Sequence, residues 1–375
     1  MNSLLKIRSL ALCAGALVLV AACGPPSGGT TSNLPAASAK SANDVGGLSA
    51  LVTAAKKEGA LNVIALPPDW ANYGAVIDGF KAKYSGITVT SANPDGSSQD
   101  EINAVNQLAG TDRAPDVLDV GMKVALANTT LFAPYQVIKW GDIVASQKES
   151  TGLWVQDYGG YMSIGYDSAK FPAITSIQDL LGSKFKSSVA LNGDPTKANA
   201  ALNGVMMASL ANGGTADNIG PGVDFFSKLN KAGTFSPVQA TTATVKNGTT
   251  PVVFDWDYLS QAHGKDVPTW KIFVPTNAIL GGYYAQAVNK QAPHPAAARL
   301  WEEYLYSDEG QNLWLKGGAR PVRMAAMQTA GTLNAAAAAA LPKVADPKKA
   351  VFLSPDQATA AGAYLSAHWA AAIGA

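Results

Sequence analysis

Four consecutive residues, Asp255-Trp256-Asp257-Tyr258, put two carboxylates and two aromatic rings into one short segment. In an extended chain side chains alternate between faces, so Asp255 and Asp257 share one side and Trp256 and Tyr258 the other. Twist at a strand end brings both kinds into one cleft. A carboxylate accepts charge-assisted hydrogen bonds from an ammonium, and an aromatic face attracts the same cation by about 0.5–2 kcal/mol. Pro67-Pro68-Asp69-Trp70-Ala71-Asn72-Tyr73 repeats the combination; Asp69, Trp70 and Tyr73 are its candidates, with helix capping an alternative role for Asp69. Asn192-Gly193-Asp194-Pro195 and Asn199 add polar candidates, Asn192 and Asp194 foremost, in a stretch that also has ordinary turn chemistry. Sites for phosphate-like anions use helix-start amides together with Arg or Lys. These three loops carry Asp and Trp and no Arg, which points to a cationic solute such as a putrescine- or spermidine-like polyamine.

The elements that must position these residues alternate between two periods. Leu48, Leu51, Val52 and Ala55 fall on one helix face, and Gly59 is placed to end that helix. Residues 61–66 have the character of a buried strand, and Tyr73, Val76, Ile77, Phe80 and Tyr84 mark a second helix. A strand is predicted at 87–89, a helix through Ile102, Val105 and Leu108, and a strand at 117–120 that ends at Gly121. This order predicts an α/β fold with a parallel, helix-covered sheet whose ligands sit beyond the carboxyl ends of the strands. Further on, residues 158–166 read as extended, 189–191 as a strand, 198–210 as a helix, and 251–254 as a strand that delivers Asp255. Strands at 270–274 and 281–288, a helix from Arg299 and helices in the Ala-rich tail complete the expectation.

The N-terminus carries Lys6 and Arg8, then an apolar run over 10–20 that is short for a bilayer span and suits a secretion signal. Val20-Ala21-Ala22-Cys23 resembles the bacterial lipobox, which implies cleavage before Cys23 and diacylglycerol on its thiol. Each buried methylene of such chains contributes about 0.8 kcal/mol, so a multiply acylated Cys23 is a durable tether. Residues 1–22 are thus expected to be a signal peptide and 23–45, rich in Gly, Pro, Ser and Ala, a flexible linker. Cys13 leaves with the signal, so the mature chain has no cysteine pair. The 28 basic and 27 acidic residues become 26 and 27 without Lys6 and Arg8, a balance with no footprint for nucleic acid. With three histidines and no cysteine pair, neither a metal site nor a cofactor is expected. No Gly-x-Ser-x-Gly elbow accompanies the histidines, so the rival reading, a surface-anchored hydrolase, rests only on the Asp255 and Asp257 pair.

Three further stretches resemble one family. Ala54-Ala55-Lys56-Lys57-Glu58-Gly59-Ala60-Leu61, Ala114-Pro115-Asp116-Val117, and Ala292-Pro293-His294-Pro295-Ala296-Ala297-Ala298 followed by Ser307-Asp308-Glu309-Gly310-Gln311 are similar to the extracellular solute-binding proteins of bacterial ABC importers, in the branch for polyamines, ferric iron and related solutes. The resemblance implies a two-lobed periplasmic-binding-protein fold of type II, with two crossover segments and the ligand cleft between the lobes. Lobe one would comprise 46–158 and 281–375, lobe two 159–280, with crossings at 159–166 and 280–289. It also implies an exported, lipid-anchored monomer at the cell envelope that delivers a small solute to an ABC permease and its ATPase. Tyr283 and Tyr284 are similar to the paired tyrosines of ferric-binding members, which keeps iron open as an alternative, as is an anionic solute.

Overall fold

The computed structural model describes residues 35–374. Cys23, the expected signal and most of the expected linker lie outside them. Helix α1 (Leu48–Glu58) buries Leu51 and Ala55 and is stopped by Gly59 at φ 73°, a left-handed conformation that glycine adopts without a Cβ clash. The strand β1 (Ala60–Ile64), helix α2 (Tyr73–Lys83) and strand β2 (Thr88–Ala92) follow, with β1 and β2 parallel. Helix α3 (Ser98–Gln107) opens with a reciprocal Ser97–Asp100 capping box and leads to β3 (Val117–Gly121), the short helix α4 (Met122–Ala127) and β4 (Phe132–Ala133).

The long strand β5 (Val155–Asp167) then leaves this half of the molecule. A second half follows: β6 (Val189–Leu191), α5 (Asn199–Ala211), α6 (Gly220–Lys231), α7 (Thr242–Lys246), β7 (Val252–Trp256), α8 (Asp257–His263) and β8 (Trp270–Phe273). Strand β9 (Leu280–Asn289) returns to the first half. It is followed by α9 (Pro295–Leu305), α10 (Asp308–Lys316), β10 (Arg320–Pro321), α11 (Met324–Ala330), α12 (Ala335–Ala339), β11 (Val351–Phe352) and α13 (Pro355–Ile373). Early residues of β5 pair with β9 and β10, and its later residues pair with β7 and β8. The chain therefore folds as two lobes joined by paired crossing strands.

The sheet is not the parallel one expected. Strands β5 and β9 traverse the molecule in opposite directions, so β5–β9, β3–β9 and β5–β7 are all antiparallel. Parallel pairing is kept at β1–β2, β6–β7 and β9–β11. At the crossing, Gly159 pairs with Tyr283 and Gly160 with Gly282, and a Cβ on Gly159 would collide with the Gly282 carbonyl oxygen.

Two buried side chains fasten the first lobe. Asp116 accepts hydrogen bonds from the Asn62 amide at 2.6 Å and the His294 amide at 2.7 Å, and His294 Nδ1 lies 2.9 Å away, tying β1, β3 and α9 together. His294 is the N-cap residue of α9. Arg299 on α9 donates to the carbonyls of Ala39 at 2.8 Å and Ala37 at 3.0 Å, so the start of the described chain is bound to this lobe. Helix α13 touches both lobes: Trp369 packs on Phe226 and Phe235 of the second, while Gly362 lies against the side chain of Lys123 on α4 of the first. No helix among the described residues is long and apolar enough to cross a membrane.

Candidate solute-binding cleft

Between the lobes lies a cleft with about 830 Å³ of empty space, open to solvent. The first lobe supplies Pro67 and Trp70 from the loop after β1, Ser98 and Glu101 from the start of α3, and Asp119 from β3. The second supplies Asn192 after β6, Asn199 at the start of α5, Thr241 and Thr242 at α7, Asp255 near the end of β7, and His263 from α8. Tyr284 of β9 joins the lining from the crossing strand. Most of these residues follow strand ends, because there the backbone leaves the sheet and side chains project into the space between lobes. Asp95, Glu101, Asp119 and Asp255 line the cleft, and no Lys or Arg does among the described residues.

Asp255 is buried. Its Oδ1 accepts from the Trp256 amide at 2.8 Å and its Oδ2 from Asn192 Nδ2 at 3.0 Å, yet loss of hydration outweighs both bonds and pushes its pKa up to about 7. Asp119, only 7% exposed, behaves alike. Burial raises its pKa to about 7 against the opposing hydrogen bonds from the phenols of Tyr73 and Tyr158, both 2.8 Å from Oδ2. Glu101 accepts the Asp119 amide at 2.9 Å and is held well above the usual carboxylate range by burial. Burial has the opposite effect on a base, and it lowers His263 to about 4, leaving the ring neutral at pH 7. Trp70 and Tyr284 meet edge to face, 5.5 Å between centroids at 87°, and form an aromatic corner of the lining.

Of the residues singled out in the sequence, Trp70, Asn192, Asp255 and Tyr284 line the cleft. Tyr73 sits behind the lining, reaching it through Asp119. Trp256 and Tyr258 are fully buried behind it and stack on each other at 8°. Asp257 does not share an extended face with Asp255: the chain turns helical at this residue, which opens α8, and its buried carboxylate pairs with Arg320 Nη1 at 2.8 Å beside the crossing strands. Asp69 is exposed in a separate shallow depression with Lys265 and Asp266, and the N-cap of α2 is Asn72 rather than Asp69. Asp194 is exposed in a turn, accepting from the Thr196 amide at 2.9 Å and its hydroxyl at 2.8 Å. Tyr283 points away from the cleft and stacks on Phe352 at 6.1 Å, so the two tyrosines occupy opposite faces of β9. Asp119 and Glu101 escaped the sequence reading. A carboxylate inside the apolar run Val117-Leu118-Asp119-Val120 is the signal that could have found Asp119, since a buried strand has no structural need of one.

The family model for bacterial extracellular solute-binding proteins matches residues 114–356, more than half of the sequence. The chain belongs to that family of transport binding proteins. Solved structures agree on the fold. AfuA from Actinobacillus pleuropneumoniae, a periplasmic binding protein with fructose-6-phosphate bound, aligns at TM-score 0.64 with 16% identity over 84% of this chain and 99% of its own. A putative spermidine/putrescine ABC transporter from Listeria monocytogenes aligns at 0.62 with 10% identity over 83% and 98%. Iron-bound HitA from Pseudomonas aeruginosa aligns at 0.60 with 19% identity over 82% and 97%. No curated protein sequence matches the chain. The ligands in these neighbours' names span a sugar phosphate, polyamines and iron, so these proteins share a fold and not a cargo.

Proposed function

We propose that this protein captures a small cationic solute, of the polyamine class, between its lobes and passes it to an ABC permease. The observation that carries this reading is the charge of the cleft: Asp119 from one lobe and Asp255 from the other, with Asp95 and Glu101 beside them and no cationic side chain in the lining among the described residues. Because the two carboxylates stand on different lobes, a solute with two ammonium groups stabilises the closed arrangement by touching both. It shifts the equilibrium only through that differential affinity. Trp70 and Tyr284 add ring faces for the same charges. The lobes divide at the crossing strands, 46–158 with the segment after 281 against 159–280. Helix α13 is an exception to that division, since it also packs on α6. Lipidation of Cys23 tethers a monomer at the envelope, and the protein catalyses no reaction.

One observation favours the anionic alternative. Helix α5 begins at the cleft with no side-chain cap on its first amides, a place that attracts negative charge. Four carboxylates in the same lining weigh against it.

A thermal-shift screen of residues 35–375 against diamines, triamines, ferric citrate, sugar phosphates and amino acids tests the reading. Diamines or triamines raise the melting midpoint, and Asp255→Asn removes most of the rise. A sugar phosphate or ferric citrate that raises the midpoint while no amine does so overturns it.

A further inference from the structure

Asp119 differs from every other carboxylate in the lining. Its Oδ2 is saturated by two phenol donors, Tyr73 and Tyr158, and its Oδ1 has no partner although the residue is more than nine-tenths buried and faces the cleft. Each phenol hydrogen is committed to Asp119 because its oxygen already accepts another bond: Gln286 Nε2 donates to Tyr73 at 2.9 Å and Trp70 Nε1 to Tyr158 at 2.7 Å. Gln286 also donates to Asp157 at 2.9 Å. The arrangement leaves the carboxylate one free acceptor atom, fixed in direction.

We infer that Asp119 is the anchor of the cleft, taking an N–H-bearing cation such as a primary ammonium or an amidinium on Oδ1, with Tyr73 and Tyr158 as positioning residues. This deepens the cationic reading and rests on it. A buried acceptor without a donor is costly, and an ammonium N–H satisfies it with a charge-assisted bond. A quaternary ammonium has no N–H to give. It relies on ring faces, of which the lining offers two, Trp70 and Tyr284. The site therefore selects amines over their permethylated forms.

The titratable groups around Asp119 are acids or phenols: Glu101 on α3, Asp157 and Tyr158 on β5 and Tyr73 on α2, with Tyr284 in the lining and Tyr258 buried behind it. Glu302 on α9 is a further buried acid, raised to about 8 by loss of hydration. With no cation among them, the anchor is partly protonated near neutral pH, on Oδ1, and the solute displaces that proton.

Isothermal titration with 1,4-diaminobutane and with its fully N-methylated bis-quaternary analogue tests the assignment on the mature protein, alongside Asp119→Asn, Asp255→Asn, Tyr73→Phe and Tyr158→Phe. The diamine binds the unaltered protein, and the quaternary analogue binds at least about 100-fold more weakly. Asp119→Asn lowers diamine affinity by about 100-fold without lowering the unliganded melting midpoint, which shows that the variant folds. Tyr73→Phe costs about 10-fold and moves the pH midpoint of binding upward, a change that a packing role would not produce. Equal binding of both probes, or an Asp119→Asn variant with undiminished affinity, overturns the anchor. If Asp255→Asn alone loses the diamine, the cationic reading survives and the Asp119 assignment falls. If neither amine binds the unaltered protein, both fall.

Discussion

Asp119 and Asp255 give up hydration without gaining a protein cation, and their proton equilibria record it. An acid whose folded pKa exceeds its unfolded value near 4 binds protons more tightly when folded, so its stability contribution is lost as pH climbs toward the folded pKa. That value is about 7 for Asp119 and Asp255 and about 8 for Glu302. His263, lowered to about 4, has the opposite sign and adds stability as pH rises to about 6.5, above which it is neutral in both states. Between about pH 6.5 and 8 the carboxylates act alone. The unliganded melting midpoint falls by several degrees over that window, while the rise produced by saturating 1,4-diaminobutane grows, because the bound cation favours ionised carboxylates. Scanning fluorimetry at half-unit pH steps checks both trends, and a flat unliganded midpoint rejects the account. Asp255, Trp70 and Asn192 were legible in the sequence because each stands where an apolar run gives way to polar or aromatic residues, whereas Tyr284 came only from the resemblance to the paired tyrosines of ferric-binding proteins. Asp257 was misjudged because alternation assumes that a strand continues, and here the chain turns into α8 after Trp256.

At the scale of elements, α1, α2 and α3 and the strands between them were readable from period alone, since each helix spans ten or more residues and repeats its apolar face. Short helices such as α4, α7 and α8, of five to seven residues, complete too few turns to show a period. Strand direction is not encoded in period at all, which is why a parallel sheet was expected where crossing strands made a mixed one. The crossings at 159–166 and 280–289 were placed by the family resemblance, and the glycines there are compatible with it. Gly159 has no room for a Cβ against the Gly282 carbonyl, so Gly159→Ala must spread β5 from β9. We expect it to cost about 1–3 kcal/mol, as overpacking does, read as a lower urea midpoint with unchanged slope. An unchanged midpoint would show that the crossing strands tolerate separation.

At the scale of the molecule, α13 is a strap across the two lobes. Its far end is bound to the second lobe by Trp369 and by Asn230, whose Nδ2 donates to the Ile373 carbonyl at 2.9 Å. Gly362 rests on Lys123 of the first lobe, whose ammonium donates to the Thr196 carbonyl of the second at 3.3 Å. A leucine side chain at 362 has no space there. Gly362→Leu is expected to pry the strap from α4, enlarge the radius of gyration in X-ray scattering with solute present, and speed solute dissociation about 10-fold; an unchanged dissociation rate would make α13 a passive cover. The clamp that Arg299 places on Ala37 and Ala39 has a mechanical meaning as well. The described chain starts on the lobe that holds Asp119. An attachment on the N-terminal side of that point would make this lobe the stator and the lobe bearing Asp255 the rotor.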